Sequence, residues 1–202
     1  MSIQIRIDDA ELQRVQQRLG ELQHKAPNAI ASALNRSISN IKANVPKEVR
    51  KNYHVKTADI KETLKIFKAS ASKLQAKVTS SGRTLGLNKF KVSPMTVNPK
   101  RKSQLKIAVE KTGTKQILGA FVLNLNGAKV FTRSGEKHSP TKGSYAGKGV
   151  LREKINRKFG PSVPQMIGNE TTVNKINQDA YTTYETRINH EINRLLSRLG
   201  AN

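Results

Sequence analysis

Residues 105–131 read LKIAVEKTGTKQILGAFVLNLNGAKVF, and this stretch decides the fold. Leu105, Ile107 and Val109 recur at period two, as do Phe121, Leu123 and Leu125, the pattern of strands with one covered face. Asn126-Gly127 separates the run ending at Leu125 from the one beginning at Ala128. Both central residues of a type I′ turn need positive φ, so this pair predicts a tight antiparallel hairpin. Similar short apolar runs with Gly-containing punctuation extend from Leu64 to Phe131, which predicts a largely antiparallel sheet over 64–133.

Toward the N-terminus, Ile3, Ile5 and Ile7 alternate with polar residues as a short opening strand. Asp8 or Asp9 can cap a helix carrying Leu12, Val15, Leu19 and Leu22 on one stripe, with Gly20 weakening its end. Pro27 suits the first turn of a second helix through Ile30, Ala33, Leu34, Ile38, Ile41 and Val45, which Pro46 is expected to stop or kink. A capping residue followed by early acids around Thr57 predicts a short helix, so strand and helices occupy 1–63.

Toward the C-terminus, residues 134–149, SGEKHSPTKGSYAGKG, hold almost nothing able to anchor a core and predict a flexible basic loop. A Pro- and Gly-rich linker follows over 150–168, and Asn169 can cap a helix over 169–200. Val173, Ile176, Ala180, Tyr184, Ile188, Ile192, Leu195 and Leu199 keep one apolar stripe along it. About 30 helical residues reach roughly 45 Å, more than a small sheet covers. Part of the stripe, namely Tyr184, Ile188, Ile192 and Leu195, is therefore expected to meet another subunit; packing on the chain's own N-terminal helices is the alternative. The sum is a single α+β domain over 1–202 with N-terminal helices, a central largely antiparallel sheet and a long C-terminal helix.

Composition narrows the function. The chain has 37 Lys and Arg against 14 Asp and Glu, a formal charge of +23, where roughly 2 to 8 suffices for solubility. Such an excess points to a polyanion, nucleic acid first, because each neutralised phosphate releases condensed counterions. Cysteine is absent, which removes disulfides and thiolate metal sites and suits a reducing cytoplasm. No segment approaches the roughly 18 apolar residues of a membrane span, and the N-terminus reads as neither signal nor anchor, so a soluble protein without membrane contact is expected.

Catalytic groupings are missing. His24, His54, His138 and His190 are widely spaced, no phosphate-cradling or nucleophile-elbow motif occurs, and Glu110, Glu136 and Glu153 stand alone in basic surroundings. The expectation is a protein that is not an enzyme and uses no cofactor or metal. Two tracts carry the charge instead. No acid lies between Glu62 and Glu110, a stretch holding eleven Lys or Arg, and Arg133 to Lys158 is similarly basic. The candidate phosphate-facing residues are Lys100, Arg101, Lys102, Lys137, Lys142, Lys148, Arg152 and Lys154. Aromatic residues are not interleaved with them as base stacking requires, and no helix has the make-up of a major-groove reader. Contact with the backbone of double-stranded DNA is what remains.

Arg157 to Met166, RKFGPSVPQM, resembles the signature of the minor tail protein Z family of long-tailed phages and prophages, and the order of elements is similar too. Pro161 and Pro164 fix φ and Gly160 permits a bend, making a stiff turn ahead of the final helix. Phe159, Val163 and Met166 are apolar enough to insert, with Gly160, Pro161 and Pro164, into a neighbouring subunit; a corner without a partner is the alternative. The resemblance implies a structural virion protein assembled in the host cytoplasm and placed at the head-proximal end of the tail. There it would help join head to tail and position the genome end in the tail channel. It further implies other tail and neck proteins as partners and a closed ring, a hexamer by the sixfold symmetry of tails. An independent nucleic-acid-binding protein without sequence preference is the rival reading, and an acidic tail or head protein is a third partner for the charge.

Overall fold

A computed structural model describes residues 1–198. In chain order the elements are β1 (Ser2–Arg6), α1 (Asp9–Leu19), a 3-10 turn (Gly20–Lys25), α2 (Ala26–Asn52), α3 (Thr57–Lys61), β2 (Leu64–Phe67) and β3 (Gln75–Ser80). Next come β4 (Thr84–Gly86), β5 (Lys91–Ser93), β6 (Leu105–Ala108), β7 (Lys115–Ile117), β8 (Ala120–Asn124) and β9 (Ala128–His138). The chain ends in β10 (Arg152–Arg157), β11 (Phe159–Ser162), α4 (Val163–Ile167) and α5 (Glu170–Ser197). The class is α+β with N-terminal helices, antiparallel pairing in every sheet and a long C-terminal helix. The strands fall into four small sheets. Contacts gather the chain into two compact units: the first holds 1–51, 57–82 and the chain from Val163 on, the second 52–56 and 83–162.

In the first unit, β1 and β2 flank β3, with Ile3 opposite Val78, Ile5 opposite Ala76 and Leu64 opposite Ser80, all six buried on one face. Asp8 caps α1 through the Glu11 amide at 2.9 Å, and Gly20 ends the helix at φ 54. Along α2 the buried residues include Ile30, Leu34, Ile38, Ile41, Val45 and Val49. The helix continues past Pro46 to Asn52, so Pro46 does not end it. Loss of one helical hydrogen bond costs about 3 kcal/mol, whereas burying Val45 and Val49 returns about 1.5–3 kcal/mol apiece.

The α5 stripe buries Ile176, Ala180, Tyr184, Ile188 and Ile192 within its own chain. Polar contacts fix its neighbours: Arg18 donates to Asn189 at 2.8 Å from α1, and Ser32 donates to Glu191 at 3.0 Å from α2. Asn169 sits at the helix start without capping it, its side chain accepting from Thr171 at 2.7 Å instead, and Leu199 lies outside the described residues.

The second unit holds the remaining three sheets: β5-β6-β7, β10-β9-β8 and the pair β11-β4. Asn126 and Gly127 adopt φ 51 and 96 in the β8–β9 hairpin, the conformation their identity predicts. Its buried contacts differ from the period-two reading: Val122 and Val130 are buried opposite one another, and Leu125 is 51% exposed. Backbone pairing with β10 carries β9 through His138, so 134–138 is strand within the segment expected as loop. Likewise β10, β11 and α4 occupy much of the expected linker.

Candidate functional site

The two units share the charge unequally. The second carries 19 Lys and Arg against three acids, a formal +16, while the larger first unit carries 18 against 11, or +7. All eight candidate phosphate-facing residues belong to the second unit. Its positive field is felt by His54, whose pKa is lowered by burial and then by Lys91 and Lys111.

Between β5 and β6 the chain loops out, exposing Lys100 and Lys102. Arg101 turns the other way: its guanidinium donates to the carbonyls of Pro94 at 3.3 Å and Thr96 at 2.7 Å, and to the Thr96 hydroxyl at 2.9 Å. Arg101 therefore clasps the loop that presents its two neighbours. Residues 97–103 of this loop and strands β8 and β9 enclose a cleft of about 280 Å³, lined by Val97, Asn98, Arg101, Phe121, Leu123 and Arg133 among others. The fold thereby joins the two basic tracts, which the sequence keeps apart, at Arg101 and Arg133.

Arg133 stacks over Phe121, 5.4 Å from guanidinium carbon to ring centroid, and reaches Glu153 at 3.4 Å. Arg152 lies 4.2 Å from the Tyr145 centroid and Arg157 lies 5.0 Å from that of Phe159. Basic and aromatic side chains are thus brought together by folding, contrary to the linear reading, which sees no interleaving. The rings are covered by guanidinium groups, each contact worth about 0.5–1 kcal/mol at exposed sites. Lys137 and Arg152 flank the far end of the β9–β10 ladder, opposite Glu153 and His138. Lys154 lies 3.8 Å from Glu136, both well exposed, a pair worth about 0–1 kcal/mol. Lys142 and Lys148 are exposed in the turn-rich segment between the strands.

Sequence reading passed over Arg133, Arg157 and Lys129 as individual site residues. By strand register Arg133 stands opposite Ile155, Arg157 opposite Phe131 and Lys129 opposite Leu123, which puts all three on one sheet face. The signal present in the sequence was the alternation Lys129, Phe131, Arg133.

The expected subunit contacts divide sharply. Val163, Met166, Tyr184, Ile188 and Ile192 are buried in their own chain, and Gly160, Pro161, Pro164 and Leu195 are half-buried. Phe159 is 50% exposed. Gly160 has no positive φ; its role is clearance, since a Cβ there would stand 2.6 Å from the Phe90 ring. Among the described residues no three His, Asp or Glu side chains gather as a metal site needs, and no helix is long and apolar enough to cross a membrane.

Fold and site define a small α+β protein whose cationic surface is concentrated on one β-rich unit. The family model described as prophage minor tail protein Z matches residues 12–198, nearly the whole chain, and the chain belongs to that family. It is a phage minor tail protein, with a structural role in the virion tail. No match was found among curated proteins or solved structures.

Proposed function

We propose that this chain completes the tail at its head-proximal end, where identical copies close into a ring around the genome end and help join head to tail. A hexamer fits the sixfold symmetry of tails. The second unit faces double-stranded DNA and neutralises phosphates without reading bases, chiefly through Lys100, Lys102, Lys137, Lys142 and Lys148. Arg101, Arg152 and Lys154 act beside them while also holding the local structure. Other tail and neck proteins supply the remaining contacts, and assembly takes place in the host cytoplasm. The observation that carries the reading is the location of charge: +16 of +23 lies on the smaller unit.

The test is complementation of a phage lacking this protein with the variant Lys100→Glu, Lys102→Glu, Lys137→Glu, Lys142→Glu and Lys148→Glu. Particles are expected to assemble complete tails yet lose infectivity by orders of magnitude. Full infectivity would remove the DNA contact. Free monomers at working concentration that bind duplex DNA tightly and never enter tails would favour an independent nucleic-acid-binding protein.

A further inference from the structure

Strand β9 runs on past the end of its sheet. Its ladder with β8 ends at Thr132, opposite Ala120, whereas pairing with β10 continues to His138, opposite Arg152. Residues 133–138 and their β10 partners therefore form a two-stranded ribbon, closed by residues 139–151. Gly135, Glu136, Lys137 and His138 are all exposed, and successive residues of a strand point to opposite faces, so both faces of the ribbon are open to solvent. β9 advances four residues from Arg133 to Lys137 where β10 advances two from Ile155 to Glu153, a bulge that bends the ribbon. Gly135 supplies the positive φ, 82, at this bulge. The Glu153 carboxylate holds it, accepting from the Gly135 amide at 3.0 Å and from Arg133 at 3.4 Å. No acid lies between Glu136 and Glu153, while Lys137, Lys142, Lys148 and Arg152 are spread over that span. The outer half of the ribbon is thus purely cationic.

We propose that this ribbon enters the major groove of double-stranded DNA tip first, its lysines reaching the phosphates that border the groove; the inference rests on the reading that this unit faces DNA. Width selects the groove. Paired strands lie about 4.8 Å apart before side chains are added. The major groove, about 12 Å wide, admits such a ribbon, whereas the minor groove is about 6 Å wide. Reach fits as well: the four residues Arg152 to Ile155, at about 3.3 Å each, extend about 13 Å against a groove depth of about 8.5 Å. The side chains near the tip suit entry without sequence preference. No Asn or Gln lies between Arg133 and Ile155, and Arg152 lies against the Tyr145 ring at 4.2 Å. Ser139, Thr141 and Ser144 offer hydroxyls, which pair with any base edge.

The experiment uses the full chain and a duplex carrying iodouracil for thymine, whose iodine takes the place of the thymine methyl in the major groove. Photocrosslinks mapped by mass spectrometry are expected within 137–152, and the minor-groove ligand netropsin should change duplex affinity by less than about twofold. Two variants separate shape from charge. One replaces residues 139–151 by Asn-Gly, a two-residue turn that can close the His138–Arg152 pair directly; the other is Lys142→Ala with Lys148→Ala, which removes the same two charges and keeps the ribbon. The shortened chain is expected to lose the crosslinks and to bind duplex about tenfold or more weaker than the double variant. Should the shortened chain melt early, the crosslink map of the unaltered protein decides alone. Crosslinks confined to other segments, displacement by netropsin, or equal affinity of the two variants overturns the ribbon's entry while duplex binding, and with it the phosphate contact, still stands. Failure of the unaltered chain to bind duplex at all removes both.

Discussion

Single side chains hold this molecule in ways that composition conceals. The Asn35 amide donates to the Ala69 carbonyl at 3.0 Å and its oxygen accepts from the Ala69 amide at 2.8 Å, pinning the segment after β2 to α2. Asn35→Ala leaves both half-buried backbone groups without that partner and is expected to cost about 1–3 kcal/mol, read from the denaturant midpoint. Glu191 carries a pH signature. Burial pushes its carboxyl up, but hydrogen bonds from Arg194 and Ser32 more than offset this and hold it below its ordinary 4.5. A carboxyl depressed in the folded state contributes stability above its unfolded pKa and loses it as pH falls through the folded one. The Tm advantage of the native protein over Glu191→Gln should therefore be full at pH 7 and shrink as pH drops below about 4.5. At the site, Lys100→Ala with Lys102→Ala should weaken DNA binding at unchanged Tm, whereas Arg101→Ala should lower Tm first by releasing the loop. Two of these partnerships are remote in sequence: Asn35 with Ala69, and Ser32 with Glu191, meet through tertiary packing that no spacing rule reveals.

Elements were legible where one face is buried and the turn chemistry is unambiguous. Ile3 and Ile5, the Asp8 cap, the α5 stripe and Asn126-Gly127 each obey a local rule, and folding keeps it. Gly127 has open space around the missing Cβ and φ 96, so Gly127→Ala costs backbone strain alone, about 1–2 kcal/mol, measurable by thermal denaturation. Where both faces are half-covered the rules fail. β8 buries Val122 opposite Val130 while Leu125 points into water, so alternation misassigned its inner face. Residues 134–138 lack core-forming side chains yet become strand because β10, arriving from later in the chain, supplies backbone partners. Pro46 failed as a stop because burial of its flanking valines outweighs one missing hydrogen bond.

At the scale of the whole molecule the net charge was plain in composition, but its partition was not. The two tracts converge because residues 97–103 lie beside β8 and β9, and that unit gathers +16 on 52–56 and 83–162. If location is what matters, equal charge removed elsewhere should do little. Two variants decide this, each reversing five exposed lysines to Glu and lowering the formal charge by ten. One changes Lys100, Lys102, Lys137, Lys142 and Lys148; the other changes Lys47, Lys61, Lys65, Lys68 and Lys73 of the first unit. Duplex DNA affinity is measured against salt concentration, where each lost phosphate contact flattens the log–log slope by about 0.9. The account predicts a slope about four to five units shallower for the first variant and a small change for the second. Equal losses in both would show that bulk charge, not the β-rich surface, holds the DNA.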